Sequence, residues 1–170
     1  FMPAQPQQAT WSSNNPTRVT AGEGALDCLP TLVSEQAKVL LITTAGFTAR
    51  GLTQRIQNML GSRTVVVHDK ITPNPELEVL VRVTNSFRNE GIECIVALGG
   101  GSVIDAAKVL AVTIPCGISD PLTEVLRNGL DHEWKQHIPL IAIPTTSGTG
   151  AEVTPFATVW DKATQKKHSV

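Results

Sequence analysis

A run of glycines follows one of the most apolar segments of the chain, and this combination could bind a phosphate. Residues 95–98 read Ile-Val-Ala-Leu, which is typical of a buried strand, and residues 99–101 are all glycine. Glycine permits main-chain angles that other residues avoid, and it leaves room for a ligand against the backbone. Ser102 is suited to be the N-cap of the next helix, where N–H groups and the helix dipole favour an anion. These residues predict a phosphate-binding turn.

The glycine turn departs from two common phosphate-binding patterns. It is neither G-x-G-x-x-G nor G-x-x-x-x-G-K-[ST], which argues against an ordinary Rossmann fingerprint and against an NTPase. A glycine-rich turn without a ligand is the alternative interpretation. Asp105 and Lys108 follow on one helix face, where they form either a surface ion pair or part of a ligand site.

A second loop, residues 144–154, combines hydroxyl side chains with glycines after another apolar strand. Its hydroxyls and exposed N–H groups offer uncharged hydrogen bonds to a diphosphate or a ribose. The carboxyl ends of parallel strands meet at one edge of a sheet, so both loops are expected to face one ligand. A plain Ser/Thr-rich surface turn is the alternative for this loop alone.

The spacing of apolar residues predicts strands that alternate with helices. Such alternation is typical of an α/β fold with a Rossmann-like parallel sheet flanked by helices. The predicted strands are 16–20, 39–42, 64–67, 95–98, 139–144 and 157–160. The predicted helices are 25–34, 52–60, 77 to about 91, the segment from 103 to 111, and a short one at 122–126.

Length and composition point to one domain of an ordinary globular protein. The chain has 170 residues, of which 41% are hydrophobic, and a net charge of −1. That charge gives no electrostatic basis for binding nucleic acid or an anionic membrane, and no apolar run approaches the roughly 18 residues of a spanning helix. We predict a flexible polar leader over residues 1–15, without the pattern of a secretory signal, and a domain over residues 16–170. Phe1 in place of an initiator Met is expected either of an incomplete start or of a residue added by cloning.

The cysteines and histidines do not predict a metal centre or a disulfide framework. Cys28, Cys94 and Cys116 are odd in number and widely spaced, which favours reduced thiols in a cytoplasmic protein. The histidines are His68, His132, His137 and His168, and the polar stretch around His132 and His137 favours solvated side chains. We expect neither a metal ligand nor a catalytic residue within these 170 residues.

Three stretches together resemble the iron-containing (group III) alcohol dehydrogenase family. They are the glycine turn with its helix (residues 99–108), the hydroxyl loop (residues 144–154) and the Pro73-Asn74-Pro75 turn. Sugar-phosphate cyclases of the dehydroquinate synthase type share a similar glycine turn but generally lack such a hydroxyl loop. They are the alternative family, and a non-catalytic nucleotide-binding module is the alternative class.

The resemblance implies an N-terminal domain that binds NAD or NADP, followed by an all-helical domain that this chain lacks. In the family that second domain holds a divalent metal, iron or zinc, through one Asp and three His. The complete enzyme would transfer a hydride between the cofactor and a small alcohol or aldehyde, with the metal acting as a Lewis acid. The 170 residues alone are expected to have no turnover, and a homo-oligomer is a possible assembly.

The resemblance also implies a set of cofactor-binding residues. Gly100, Gly101, Ser102 and Asp105 correspond to the diphosphate and its neighbouring ribose, and Asn74 to the adenosine ribose. Thr145, Thr146 and Thr149 belong to the hydroxyl loop, and Thr158 and Lys167 to the nicotinamide end. Lys167 could instead belong to a solvated basic pair.

Thr44 departs from the pattern of many NAD-preferring members, which carry an Asp there. An uncharged residue removes the repulsion that an Asp exerts on a 2′-phosphate, and Arg50 is a candidate partner for that phosphate. NADP(H) is therefore expected to be accepted. Residues 44–52 resemble members that reduce small aldehydes, including phosphonoacetaldehyde reductases.

Overall fold

A computed structural model describes residues 15–170. The predicted leader therefore lies outside the described residues, except for its last residue. The strands are β1 (Val39–Ile42), β2 (Val65–His68), β3 (Cys94–Gly99), β4 (Leu140–Pro144), β5 (Thr158–Asp161) and β6 (Lys166–Ser169). The α-helices are α1 (Leu29–Leu32), α2 (Ala45–Ala49), α3 (Leu52–Leu60), α4 (Leu77–Phe87), α5 (Gly101–Thr113) and α6 (Pro121–Leu126). Two 3₁₀ helices cover Ala25–Cys28 and Ala151–Val153.

Four strands form one parallel sheet in the order β2-β1-β3-β4. The central strands β1 and β3 are buried along their whole length, which explains their continuous apolar sequences. Alternate residues serve opposite faces: Leu40 and Ile42 pack with helices α4, α5 and α6, whereas Val39 and Leu41 pack with α1 and α3. The predicted α/β fold with a flanked parallel sheet is confirmed.

The strand order changes direction between β1 and β3, which places a crevice between the loops that follow them. From β1 the chain passes to β2 on one side, whereas β3 and β4 extend the sheet on the other side. Loops that leave two neighbouring strands toward opposite sides open a space at the carboxyl edge, where open α/β sheets bind ligands. Thr44 follows β1 and the glycine turn follows β3, so both predicted site segments border this crevice.

Buried Thr43 links the carboxyl ends of three strands at this crevice. Its hydroxyl donates to the carbonyl of Leu98 in β3 at 2.7 Å, and its N–H donates to the carbonyl of His68 in β2 at 3.0 Å. Its own carbonyl accepts from the N–H of Ile71 at 3.3 Å. The ends of β1, β2 and β3 are therefore held in a defined relation immediately before the loops that form the site.

Several predicted elements differ from the structure. Residues 16–20 form no strand and are exposed, although Thr and Val favour strands, because no neighbouring strand pairs with them. The predicted helix 25–34 is a 3₁₀ turn followed by the short α1, which begins beside Pro30. The structure adds α2 and β6, which were not predicted. No helix within residues 15–170 has the length and apolar character needed to cross a bilayer.

Candidate functional site

The glycine turn is needed for close packing rather than for unusual backbone angles. Residues 99–101 all lack a positive φ, and Gly100 has φ −83°. A Cβ on Gly100 would lie 3.0 Å from Oγ1 of Thr146, and one on Gly101 would lie 3.1 Å from Cγ2 of Thr149. A methyl group on either glycine would therefore require the facing threonine side chain to shift by a few tenths of an ångström. The two predicted loops are in contact, as expected from their place after neighbouring strands β3 and β4.

Ser102 does not cap helix α5, contrary to the prediction. The N-cap is Gly100, whose carbonyl accepts from the N–H groups of Val103 and Ile104 at 3.0 and 3.1 Å. The hydroxyl of Ser102 instead accepts from the N–H of Asn74 at 3.2 Å. The helix starts two residues earlier than predicted, so the serine is inside its first turn and its side chain faces the Pro-Asn-Pro turn.

The Pro-Asn-Pro turn joins the glycine turn to the β5–β6 hairpin. Asn74 has a left-handed backbone with φ 58°, which asparagine tolerates better than most residues. The carbonyl of the next residue, Pro75, accepts from the N–H of Trp160 in β5 at 2.8 Å. This turn thus contacts Ser102 on one side and the hairpin on the other.

The hydroxyl loop extends the pairing of β3 with β4 before it turns. The N–H of Thr145 donates to the carbonyl of Gly99 at 3.0 Å. Gly148 and Gly150 have φ of 109° and 63°, so here the glycines do supply left-handed backbone. This turn brings Thr146 and Thr149 back against the glycine turn.

Two open cavities flank the glycine turn and share Gly101 and Ser102 as a common wall. Their volumes are about 280 and 420 Å³. The first is lined by Thr44, Ile71, Thr72, Pro73, Gly100, Gly101, Ser102, Val103 and Thr146. The second is lined by Asn74, Pro75, Gly101, Ser102, Asp105, Thr149, Ala151, Thr154, Phe156, Thr158, Trp160 and Lys167. All the predicted binding residues except Thr145 line one cavity or the other. Thr145 continues the pairing of β4 with β3 through its backbone N–H.

Asp105 and Lys108 are mostly buried and connect α5 to the segment before β5. The Asp105 carboxylate accepts from the N–H of Thr158 at 3.1 Å. The Lys108 amine donates to the Phe156 carbonyl at 2.8 Å and to Thr154 Oγ1 at 3.1 Å, and it lies 3.9 Å from Asp105. Burial lowers the pKa of Lys108, whereas the Asp105 charge acts in the opposite direction. The pair therefore shapes the wall of the second cavity and is not a solvated surface pair.

The β5–β6 hairpin supplies the outer wall of the second cavity. Trp160 pairs with Lys167 in the antiparallel register, and the Lys167 amine lies 5.2 Å from the centre of the Trp160 ring. A cation over an indole face is an attractive arrangement. Lys167 is exposed but faces the cavity, whereas its neighbour Lys166 does not line either cavity.

Nine residues that line the cavities are outside the predicted binding set: Ile71, Thr72, Pro73, Pro75, Val103, Ala151, Thr154, Phe156 and Trp160. Phe156 and Trp160 are 66% and 37% exposed, which is unusual for large aromatic side chains. The sequence of β5 gives no signal of this exposure, because its charged Asp161 is buried whereas its apolar Trp160 is partly exposed. The cavity that it faces depends on where the hairpin docks, which local periodicity does not indicate.

Thr44 and Arg50 lie at the two ends of the short helix α2. Thr44 is the N-cap and Arg50 is the C-cap. A Cβ on Gly46 would lie 3.6 Å from an Arg50 guanidinium nitrogen and 3.9 Å from the Thr44 hydroxyl oxygen. The guanidinium carbon also lies 4.6 Å from the centre of the Phe47 ring. The cation is therefore held on the side of α2 where the Thr44 hydroxyl lies.

Within residues 15–170, no group of three or more His, Cys, Asp or Glu side chains is arranged to hold a metal ion. The cysteines of the described chain are unpaired thiols. Burial raises the pKa of the Cys94 thiol to about 11, so this residue behaves as a core side chain.

Comparison with known proteins places the chain in a family. The family model described as iron-containing alcohol dehydrogenase matches residues 16–170. The glycine turn borders the crevice between β1 and β3, and the hydroxyl loop packs against it. This arrangement at the carboxyl edge of a parallel sheet is typical of the nucleotide-binding α/β class. Within that class, the chain belongs to the iron-containing alcohol dehydrogenase family, as the sequence resemblance predicted.

Individual relatives are similar over most of this chain but are much longer. The chain is 32% identical over 155 residues to alcohol dehydrogenase 4 of Saccharomyces cerevisiae, covering 88% of this chain and 39% of the yeast protein. It is 35% identical over 138 residues to phosphonoacetaldehyde reductase of Streptomyces viridochromogenes, covering 78% and 34%. It thus spans about two-fifths or less of the length of these relatives.

A solved structure of the same fold contains a nicotinamide cofactor. Sulfoacetaldehyde reductase from Bifidobacterium kashiwanohense in complex with NAD+ superposes with a TM-score of 0.85 at 25% identity. The match covers 95% of this chain and 43% of that protein.

Proposed function

We propose that residues 16–170 form the cofactor-binding domain of an NAD(P)-linked oxidoreductase that interconverts a small alcohol and its aldehyde. The contact between the glycine turn and the hydroxyl loop is the observation that carries this proposal. The glycines let the Thr146 and Thr149 side chains pack directly against the start of α5, at the crevice where open α/β sheets bind nucleotides. The relatives described above are dehydrogenases and reductases, and no observation favours a cyclase.

The donor groups of the two cavities fit a dinucleotide. Backbone N–H groups at the start of α5 have no partner within the helix and can donate to a diphosphate. Hydroxyls from Ser102, Thr146 and Thr149 add uncharged donors along the shared wall. We infer that the first cavity, with Thr44, holds the adenosine side, and that the second, with Thr158 and Lys167, holds the nicotinamide side.

The residues of this domain would bind and orient the cofactor. The nicotinamide ring, when bound, would exchange a hydride with the substrate carbon. A carboxylate accepts from hydroxyl groups and repels phosphate, so Asp105 suits a ribose hydroxyl rather than the diphosphate. Asn74 lies in the second cavity beside Ser102, at the boundary between the two halves of the proposed site.

Residues 15–170 do not fit the divalent metal that the family name implies, so no chemical step is derived through it. Residues 1–14 contain no His, Cys, Asp or Glu. We therefore expect the 170-residue chain to bind cofactor without turning over an alcohol.

The proposal extends to both nicotinamide cofactors and to small aldehydes. Thr44 carries no charge that would repel a 2′-phosphate, and the nearby Arg50 guanidinium could pair with one. The named substrates of two relatives, phosphonoacetaldehyde and sulfoacetaldehyde, are small aldehydes.

The unpaired thiols of the described residues are compatible with the reducing cytoplasm as the location of the protein. A homo-oligomer stays a prediction.

Replacement of Gly101 by alanine tests the cofactor cradle. Its Cβ would press on Thr149, so the affinity for NADH is expected to fall about tenfold or more, as measured by calorimetric titration. Alanine is itself a good helix residue, so the fold is expected to survive. Gly117→Ala is the matched control, because a Cβ there meets no atom within 4 Å. Equal NADH affinity in the two variants would contradict the proposal.

A further inference from the structure

Arg127 lies outside both cavities, at the carboxyl end of α6, and joins three elements. Its guanidinium binds both carboxylate oxygens of Asp161, with Nε to Oδ2 at 2.7 Å and Nη2 to Oδ1 at 2.6 Å. The same Nη2 also donates to Glu78 in α4. A bidentate pair of this kind fixes the relative orientation of its partners as well as their separation.

Asp161 is the residue on which the turn of the β5–β6 hairpin is built. It is the last residue of β5 and is only 1% exposed. Its Oδ1 accepts from the N–H groups of Ala163 and Thr164 at 3.0 and 3.1 Å, so the carboxylate shapes the turn itself. Arg127 therefore attaches the carboxylate that shapes the hairpin turn to the helical layer.

The two faces of this hairpin have different surroundings. Val159 and Asp161 are buried against the domain, whereas Thr158 and Trp160 alternate with them and line the second cavity. On β6, Lys167 pairs with Trp160 and also lines that cavity. Side chains alternate along a strand, so an anchor on the buried face also sets the position of the cavity face.

The other contacts of the hairpin would not replace this anchor. Lys162 pairs with Glu76, but its side chain is 70% exposed, and such a pair contributes little to stability. The N–H groups of Thr158 and Trp160 donate to the Asp105 carboxylate and the Pro75 carbonyl, so these bonds hold the first part of β5. The bidentate pair holds its last residue, Asp161, where the hairpin turns.

We propose that Arg127 is a positioning residue for the nicotinamide half of the cofactor site. It would act through Asp161 and the hairpin, setting where Thr158, Trp160 and Lys167 meet the second cavity, without touching the ligand. This inference rests on the proposed function, because it assumes that a dinucleotide occupies both cavities. Loss of Arg127 would then weaken contacts to one half of the ligand and leave the other half unaffected.

Calorimetric titration of the full 170-residue chain with NADH and, separately, with ADP tests this assignment. ADP carries the adenosine diphosphate part and lacks the nicotinamide riboside. In Arg127→Gln the affinity for NADH is expected to fall about tenfold, and that for ADP less than about twofold. Arg127→Lys keeps the charge but loses the planar fork, so it is expected to give an intermediate ratio. It also serves as the deciding variant if Arg127→Gln does not fold.

Arg63→Gln is the matched control, because Arg63 is also a structural guanidinium. It donates to the carbonyls of Pro30, Val33, Ser34 and Leu60, on the α1 and α3 side of the sheet. Its loss is expected to lower the melting temperature and leave the NADH-to-ADP affinity ratio unchanged. An unchanged ratio in the folded Arg127 variants, or an equal loss for both ligands, would overturn the proposed positioning role. A parent chain that binds neither ligand would instead reject the proposed function.

Discussion

At the scale of single residues, the glycine turn has a different physical reason from the one that the sequence suggested. The sequence interpretation invoked unusual main-chain angles, yet residues 99–101 all avoid positive φ. Their missing side chains matter because Thr146 and Thr149 come within 3.0–3.3 Å of where the Cβ atoms of Gly100 and Gly101 would lie. A contact between residues more than forty positions apart cannot be read from local sequence.

Ser102 shows the same limit. A serine after a glycine turn has the right type for an N-cap, and the helix does begin at this point. The tertiary contact with Asn74, however, takes its hydroxyl, and Gly100 serves as the cap. Ser102 lines both cavities, but its hydrogen-bond partner lies in a turn that only the fold brings near.

Thr44 allows a sharp test of cofactor preference. Thr44→Asp would place a carboxylate in the first cavity, where it would repel a 2′-phosphate but could accept from a ribose 2′-OH. The affinity for NADPH is expected to fall about tenfold while that for NADH stays equal or rises, measured by separate titrations. Thr48→Asp adds the same charge to α2 at an exposed position outside the cavity. Similar behaviour of the two variants would contradict the assignment.

At the scale of elements, amphipathic helices and buried strands were the most predictable parts. The predicted bounds of α3 and β1 match the structure, because their apolar spacing coincides with the buried face or faces that each one presents. The β6 strand was not predicted, since its sequence, Lys-Lys-His-Ser, has little apolar character and it pairs only with β5. The short α2 likewise lacks buried residues.

A buried hydroxyl pair between α4 and α5 makes a testable contribution to helix packing. The hydroxyl oxygens of Thr84 and Thr113 lie 2.7 Å apart, and both residues are almost fully buried. Thr84→Val or Thr113→Val alone leaves one buried hydroxyl without this partner, so each should lower the free energy of unfolding by about 1–3 kcal/mol.

The double Val variant should lose less than the two single losses added together, because no unpaired hydroxyl is then left between the helices. Urea denaturation of all four chains measures this coupling. Strictly additive losses would show that the two hydroxyls do not depend on each other.

At the scale of the whole molecule, His68 is expected to make stability depend on pH near neutrality. Its Nε2 is buried with no hydrogen-bond partner in the described structure, and its ring packs edge-on against Phe87. Burial lowers the pKa of His68 from its ordinary value of 6.5, opposed by the Asp69 charge. The unfolded chain thus takes up this proton at a higher pH than the folded chain does.

Stability is therefore lost as the pH falls through 6.5 toward the lowered pKa of His68. Urea denaturation between about pH 7.5 and about pH 5.5 should show a smaller loss in His68→Phe, which keeps an aromatic ring without a titrating group. His137→Gln, at an exposed position, is the control and should follow the parent chain. A parent-like pH dependence in His68→Phe would contradict this assignment.

The sequence by itself determined the fold class and the family, and its predicted binding residues include ten of those that line the two cavities. These features depend on local periodicity and on motifs that are each a short continuous stretch of the sequence. The strand order β2-β1-β3-β4, the crevice between β1 and β3, and the attachment of the hairpin through Arg127 and Asp161 were decided only by the tertiary structure. They arise from contacts between segments that are distant in the sequence. These contacts form because both faces of the sheet become buried, and no local sequence pattern indicates them.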